Sequence, residues 1–165
     1  VKPEHYRIVA PAMVFENQED VKEAYNKGLL NRDVVVVVRF QGPKANGMPE
    51  LHALTPILSN IQDMGFKVAL VTDGRMSGAS GKVLSAIHVT PEAIDGGTIS
   101  KIQDGDKIEI DANIGKLNLN EDFSDRKNFK LRKASNVGFG RDLFSLLRKN
   151  AISADSGAGL NLIND

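Results

Sequence analysis

Between Asp73 and Lys82 the chain reads Asp-Gly-Arg-Met-Ser-Gly-Ala-Ser-Gly-Lys. An acid, a guanidinium, two hydroxyls and an ammonium are packed into one short stretch, spaced by Gly74, Gly78 and Gly81. Glycines let backbone N–H groups approach an anion closely, and the polar side chains between them supply acid–base and ion-pairing groups. The first expectation is a reactive loop or a ligand clamp. The competing expectation is a plain turn in which Asp73 caps backbone N–H groups and Arg75 pairs with it. The spacing is neither that of a Walker phosphate loop nor that of the Gly-x-Ser-x-Gly nucleophile elbow. A second stretch, Gly42-Pro-Lys-Ala-Asn-Gly-Met-Pro-Glu50, offers Lys44 as an amine and Glu50 as an oxygen ligand suited to Mg²⁺. A solvated loop explains it equally well. His88 reads as a hydrogen-bonded core histidine in an apolar strand, and His5 and His52 form no metal-binding pair with it.

Composition narrows the classes. Lys+Arg and Asp+Glu both number 21 in 165 residues, so there is no basic excess to hold nucleic acid or a membrane surface. No stretch approaches the length of an apolar membrane span, and the first residues lack a signal-peptide core, so a cytoplasmic location is expected. Cysteine is absent. Thiolate catalysis, disulfides and thiolate-bound clusters built on this chain are therefore excluded.

The elements that must position these residues read as one mixed α/β domain. Asn17 opens a helix carrying Val21, Ala24, Tyr25 and Leu29, with Gly28 as terminator. Val34–Phe40 contains five consecutive valines, which predicts a strand covered on both faces. The segment 41–49 reads as a loop. Pro49 suits the first position of a helix with Glu50 in its first turn, Leu51, Leu54, Leu58 and Ile61 suit one buried face, and Pro56 predicts a short turn before a second helix ending near Met64. Phe66–Thr72 and Leu84–Thr90 read as strands around the glycine loop, with a helical turn over Pro91–Ile94. From Gly96 onward the pattern alternates: Thr98–Ile102, Lys107–Asp111 and Lys116–Asn120 predict antiparallel strands with one wet face. The region from Glu121 to Lys133 reads as exposed. Phe144, Leu146 and Leu147 anchor a late helix, and the tail from Ser153 to Leu160 is small and polar.

Leu70-Val-Thr-Asp-Gly-Arg-Met-Ser-Gly-Ala-Ser80 resembles the C-terminal signature of the dihydroxy-acid dehydratase / 6-phosphogluconate dehydratase family. Gly42-Pro-Lys44, Gly47-Met-Pro-Glu50 and His88-Val-Thr-Pro-Glu-Ala93 follow in that family's order and spacing. Lys44–Met48, Ala79–Lys82, Gly138-Phe-Gly-Arg-Asp-Leu-Phe144 and Ser153-Ala-Asp155 resemble the phosphogluconate branch. The resemblance implies a swivelling β/β/α domain, a barrel-like sheet flanked by helices as in the aconitase swivel domain. It implies that residues 1–165 are the C-terminal domain of a longer dehydratase whose N-terminal domain, absent here, binds an iron–sulfur cluster, expected as 4Fe–4S. The implied reaction is dehydration of 6-phospho-D-gluconate to 2-dehydro-3-deoxy-6-phospho-D-gluconate in the Entner–Doudoroff route, by a homodimer inactive without its cluster domain. The same resemblance implies Ser77 as base with Arg75 and Asp73 as catalytic partners, and Glu50 as a magnesium ligand. Gly78, Ser80 and Lys82 are expected at the substrate phosphate. Another sugar acid or a dihydroxy acid is an open alternative substrate. A stand-alone anion-binding module and a purely structural swivel domain are open alternatives in kind.

Overall fold

The computed structural model describes residues 1–76, 81–120, 122–130 and 138–161. Ser77, Gly78 and Ser80 lie outside them. Six strands form one sheet in the order β4-β3-β2-β1-β5-β6. They are β1 (Arg7–Phe15), β2 (Val34–Val38), β3 (Val68–Thr72), β4 (Leu84–Ala86), β5 (Lys107–Asp111) and β6 (Lys116–Leu119). The first four run parallel, and β5 and β6 add antiparallel strands on the far side of β1. The sheet curls into a half-barrel flanked by helices, so the expected mixed α/β, barrel-like architecture is found.

The valine run explains the two-sided core. In β2 the side chains alternate between two apolar clusters. Val35 and Val37 join Ile8, Ala10, Ala12, Val71, Ile108 and Ile110 inside the curl. Val34, Val36 and Val38 join Val68, Leu70 and the helices outside it. All five valines are fully buried, each contributing about 1.5–3 kcal/mol relative to exposure.

Helices α1 (Gln18–Asn26) and α3 (Leu54–Asp63) cover the outer face. Asn17 accepts the Asp20 N–H at 2.9 Å, the cap expected from sequence. Leu54, Leu58 and Ile61 are buried on one side of α3. Pro56 sits in the first turn of α3, where its missing N–H has no intrahelical partner to lose. The expected turn and following helix are found, with the turn at residues 52–53 ahead of Pro56 rather than at it, and the helix ends at Asp63 with Met64 as its C-cap.

Several segments differ from the sequence reading. Pro43–Asn46 is a short helix, α2, inside the expected loop. Thr98–Lys101 is a 3₁₀ turn rather than a strand, because Ser100 N–H closes on Gly97 O instead of on a neighbouring strand. Strand β4 stops at Ala86, and His88 beyond it is exposed with φ 56°, not a core histidine. The late helix is two short ones, α4 (Phe139–Leu143) and α5 (Ser145–Lys149), with Phe144, Leu146 and Leu147 exposed.

Because Leu58 fills the outer core, Leu58→Ala is expected to cost about 2–5 kcal/mol. Leu58→Met, which conserves volume, should cost under about 1.5 kcal/mol. Urea midpoints of the two variants check this ranking.

Candidate functional site

The carboxyl ends of the parallel strands bring the sequence motifs together, the place where open α/β sheets put ligands. Strand β2 delivers Arg39, Phe40 and Gln41, strand β3 delivers Asp73 to Arg75, and the segment after β4 delivers His88 to Ala93. Asp73 is completely buried. Its Oδ1 accepts Gln41 N–H at 2.8 Å, and its Oδ2 accepts Phe40 N–H at 3.1 Å and Ala93 N–H at 2.9 Å. One carboxylate thus satisfies amides from two other loops that have no strand partner at these points. The turn-capping expectation is met in kind but not in reach, since the amides come from distant segments.

Arg75 does not turn back onto Asp73. Its Nε donates to Met48 O at 2.9 Å and lies 3.9 Å from Glu50 Oε2. Leu51 N–H donates to Arg75 O at 3.1 Å, and Glu50 and Arg75 form a parallel bridge. The two stretches that the sequence marks for chemistry are therefore neighbours, with a half-exposed guanidinium between them.

Glu92 provides the second buried anchor. Its carboxylate accepts the N–H groups of Lys44 and Ala45 at 3.1 Å each, holding the start of α2. Gly42 is required here, because a Cβ would come within 2.3 Å of Glu92 Oε2. Gly74 is required for a similar reason: its Cβ would lie 2.6 Å from Gln41 Cβ. These two glycines serve close packing between loops. Phe40, Met48 and His88 all adopt φ between 56° and 62°, a conformation side-chain-bearing residues keep only where their surroundings impose it.

Lys44 and Lys82 are both engaged. Lys44 Nζ is 2.6 Å from Asp95 Oδ2, and Lys82 Nζ is 2.7 Å from Asp63 Oδ2 at the end of α3. Hydrogen bonding to Lys82 holds the Asp63 carboxyl below its usual range. Among the described residues no group of three His, Asp or Glu side chains could hold a metal ion. Glu50 is thus one oxygen ligand in need of others, and the chain has no cysteine to offer a cluster.

Sequence reasoning did not single out Arg39 or Gln41, and it gave Arg141 only as part of the Gly138–Phe144 stretch. Arg39 is buried; its guanidinium lies 4.1 Å from the Phe129 ring centroid and donates to Ser100 O and Ile102 O at 3.1 Å each. Burial pulls its pKa down, against the charges of Glu16, Asp104 and Asp73. Gln41 donates to Glu16 O at 2.5 Å and accepts from Asn46 at 3.0 Å. A charged residue directly after an all-buried strand was the available signal for Arg39.

A family described as dihydroxy-acid/6-phosphogluconate dehydratase C-terminal matches residues 1–158. Phosphogluconate dehydratase of Zymomonas mobilis is 53% identical over 160 residues, covering 96% of this chain and 26% of the relative. Phosphogluconate dehydratase of Escherichia coli is 56% identical over 162 residues, covering 96% and 27%. Dihydroxy-acid dehydratase of Clostridium beijerinckii is 43% identical over 138 residues, covering 81% and 24%. The chain spans about a quarter of the length of these relatives.

Burial lifts the Asp73 carboxyl above the ordinary range, outweighing its three N–H donors. Burial also lifts Glu92, and the charges of Asp73 and Asp95 add to it, against the amides of Lys44 and Ala45. The folded chain then keeps protons that the unfolded chain releases, so these groups subtract stability as pH rises above about 4, through the window up to their folded values. Asp73→Asn turns one acceptor into a donor facing an N–H and should cost about 1–3 kcal/mol. It should also flatten that decline in urea midpoints measured across pH.

Proposed function

The chain belongs to the dihydroxy-acid/6-phosphogluconate dehydratase C-terminal family, and from that premise we propose that it forms half of the site of a 6-phosphogluconate dehydratase. The observation that carries this reading is identity above one half with phosphogluconate dehydratases along nearly the whole chain. The geometry supports it by seating the Asp73–Arg75 segment beside the Gly47–Glu50 segment at the strand ends.

The reaction removes water from C2 and C3 of the sugar acid. A base takes the C2 proton, the C2–H electron pair becomes the C2=C3 double bond, and the C3–O bond breaks. The departing hydroxide leaves as water after protonation, and the resulting enol becomes the C2 ketone. Ser77 is the proposed base, two residues beyond Arg75 in the sequence. A serine hydroxyl removes such a proton only when its alkoxide is stabilised by cationic charge and donors. Arg75 is the cation this chain supplies, and Met48 O fixes its orientation. Asp73 acts here as a positioning residue, since its oxygens are spent on three amides.

The residues of this chain do not fit an iron–sulfur cluster. We assign a 4Fe–4S cluster, whose chemistry is that of a Lewis acid, to the length of protein outside residues 1–165. The functional protein is proposed to be a cytoplasmic homodimer. No helix among the described residues is long and apolar enough to cross a membrane. Among the described residues Glu50 is the carboxylate the resemblance assigns to magnesium, and no group of three His, Asp or Glu side chains gathers around it.

Full-length protein carrying Ser77→Ala is expected to bind 6-phosphogluconate and to lose dehydration by at least about a hundredfold, the scale of removing a general base. Release of the 2-keto product, followed with a carbonyl reagent across several sugar acids, checks both the base and the substrate. Undiminished turnover in the variant would remove Ser77 from the role.

A further inference from the structure

Beside the site lies a cavity of about 470 Å³ between α2 and the α4–α5 segment. Pro43, Asn46, Met48, Arg141, Phe144 and Arg148 line it. Its volume is that of a small-molecule site. Met48 joins it to the candidate site, because the Met48 carbonyl that accepts from Arg75 belongs to a residue of the cavity wall.

Two guanidinium groups converge there. Arg141 donates through Nη1 to Asn46 Oδ1 and through Nη2 to Ala45 O at 3.2 Å, fastening α4 to α2. Arg148 donates through Nη2 to Arg141 O, which draws the second guanidinium over the first helix. No carboxylate lines the cavity among the described residues. Two like charges side by side in a partly desolvated pocket favour an anion of more than one charge, and the guanidinium fork matches phosphate oxygens. Burial, and then the charge of Arg148, lowers the Arg141 pKa.

Lys82 is a weaker candidate for the same anion. Its ammonium is paired with Asp63 at 2.7 Å, at the end of α3. Arg141 lies in the Gly138–Phe144 stretch, which the sequence singled out and the dehydration chemistry leaves without a task.

We propose that Arg141 and Arg148 receive the phosphate monoester end of the sugar-acid substrate in this cavity, a proposal that rests on the function above. Arg148 is the direct anion contact, and Arg141 both contacts the anion and fixes the wall formed by α2.

The test uses full-length protein, inorganic phosphate titrated by calorimetry, and KM for 6-phosphogluconate beside that for unphosphorylated gluconate. Arg148→Gln is expected to weaken phosphate binding and raise KM for 6-phosphogluconate about ten- to a hundredfold, the loss of one charged hydrogen bond. Gluconate affinity should stay within about twofold in that variant, and Arg148→Lys should recover part of the loss. Arg141→Lys, which keeps the charge but not the fork, guards against a folding defect, as does an unchanged melting profile for each variant. Unchanged 6-phosphogluconate affinity in Arg148→Gln, or an equal loss for gluconate, overturns the site. Wild-type protein that binds phosphate through Arg148 yet dehydrates no 6-phosphogluconate overturns the function and leaves the site standing.

Discussion

A single buried carboxylate holds the strand ends together. Parallel strands finish with N–H groups that the sheet no longer serves, and at the ends of β2 and β3 those groups are buried. Asp73 takes two of them, from Phe40 and Gln41, and adds the Ala93 N–H from the segment after β4. Its neighbourhood is built around that fact. Gly74 has no side chain so that Gln41 can lie against it, Thr72 Oγ1 accepts the Gly74 N–H at 2.9 Å, and Gly74 O accepts the His88 N–H at 2.9 Å. Arg75 leaves this frame pointing away from Asp73, which frees its charge for the outer surface of the site.

Glu92 and Arg39 repeat the device with different chemistry. Glu92 gives acceptors to the amides that open α2, and Arg39 gives donors to the carbonyls of the Ser100–Ile102 turn. Three buried ionisable groups thus do for irregular backbone what ladders do for strands. Such groups cost free energy to desolvate, and they persist because leaving the backbone groups unpaired would cost as much or more. Phe40, Met48 and His88 hold left-handed backbone in the same place. Together these features describe loops whose shape is set before any ligand arrives.

Much of this was legible in the sequence and some was hidden for identifiable reasons. The valine run announced a strand buried on both faces, because five apolar residues cannot alternate with solvent. The glycine-spaced stretch after Val71 and the Gly42–Glu50 stretch announced a site, and the fold makes them neighbours. Strand β1, the hub of the sheet, went unread: its inward positions include Ala10 and Ala12, which have low strand propensity, and Pro11 argues against a strand interior. Pairing with β2 and β5 on its two sides overrides that local signal. The role of Asp73 was half read, since its acceptor function was foreseen while the origin of its donors depends on tertiary contact. Arg141 could be assigned no task from sequence, because its significance lies in meeting α2.

The two pairings of β1 also set an order of events in biosynthesis. Its parallel neighbour β2 follows after a single helix, whereas its antiparallel neighbour β5 begins at Lys107. As the chain emerges from the ribosome, one side of β1 can be closed early while the other waits for about a hundred residues to be made. During that interval the row of N–H and C=O groups later covered by β5 is an open edge, the kind that recruits strands from other molecules. Arg7, which ends up at 2.7 Å from Glu109, gives that edge a charge while it waits.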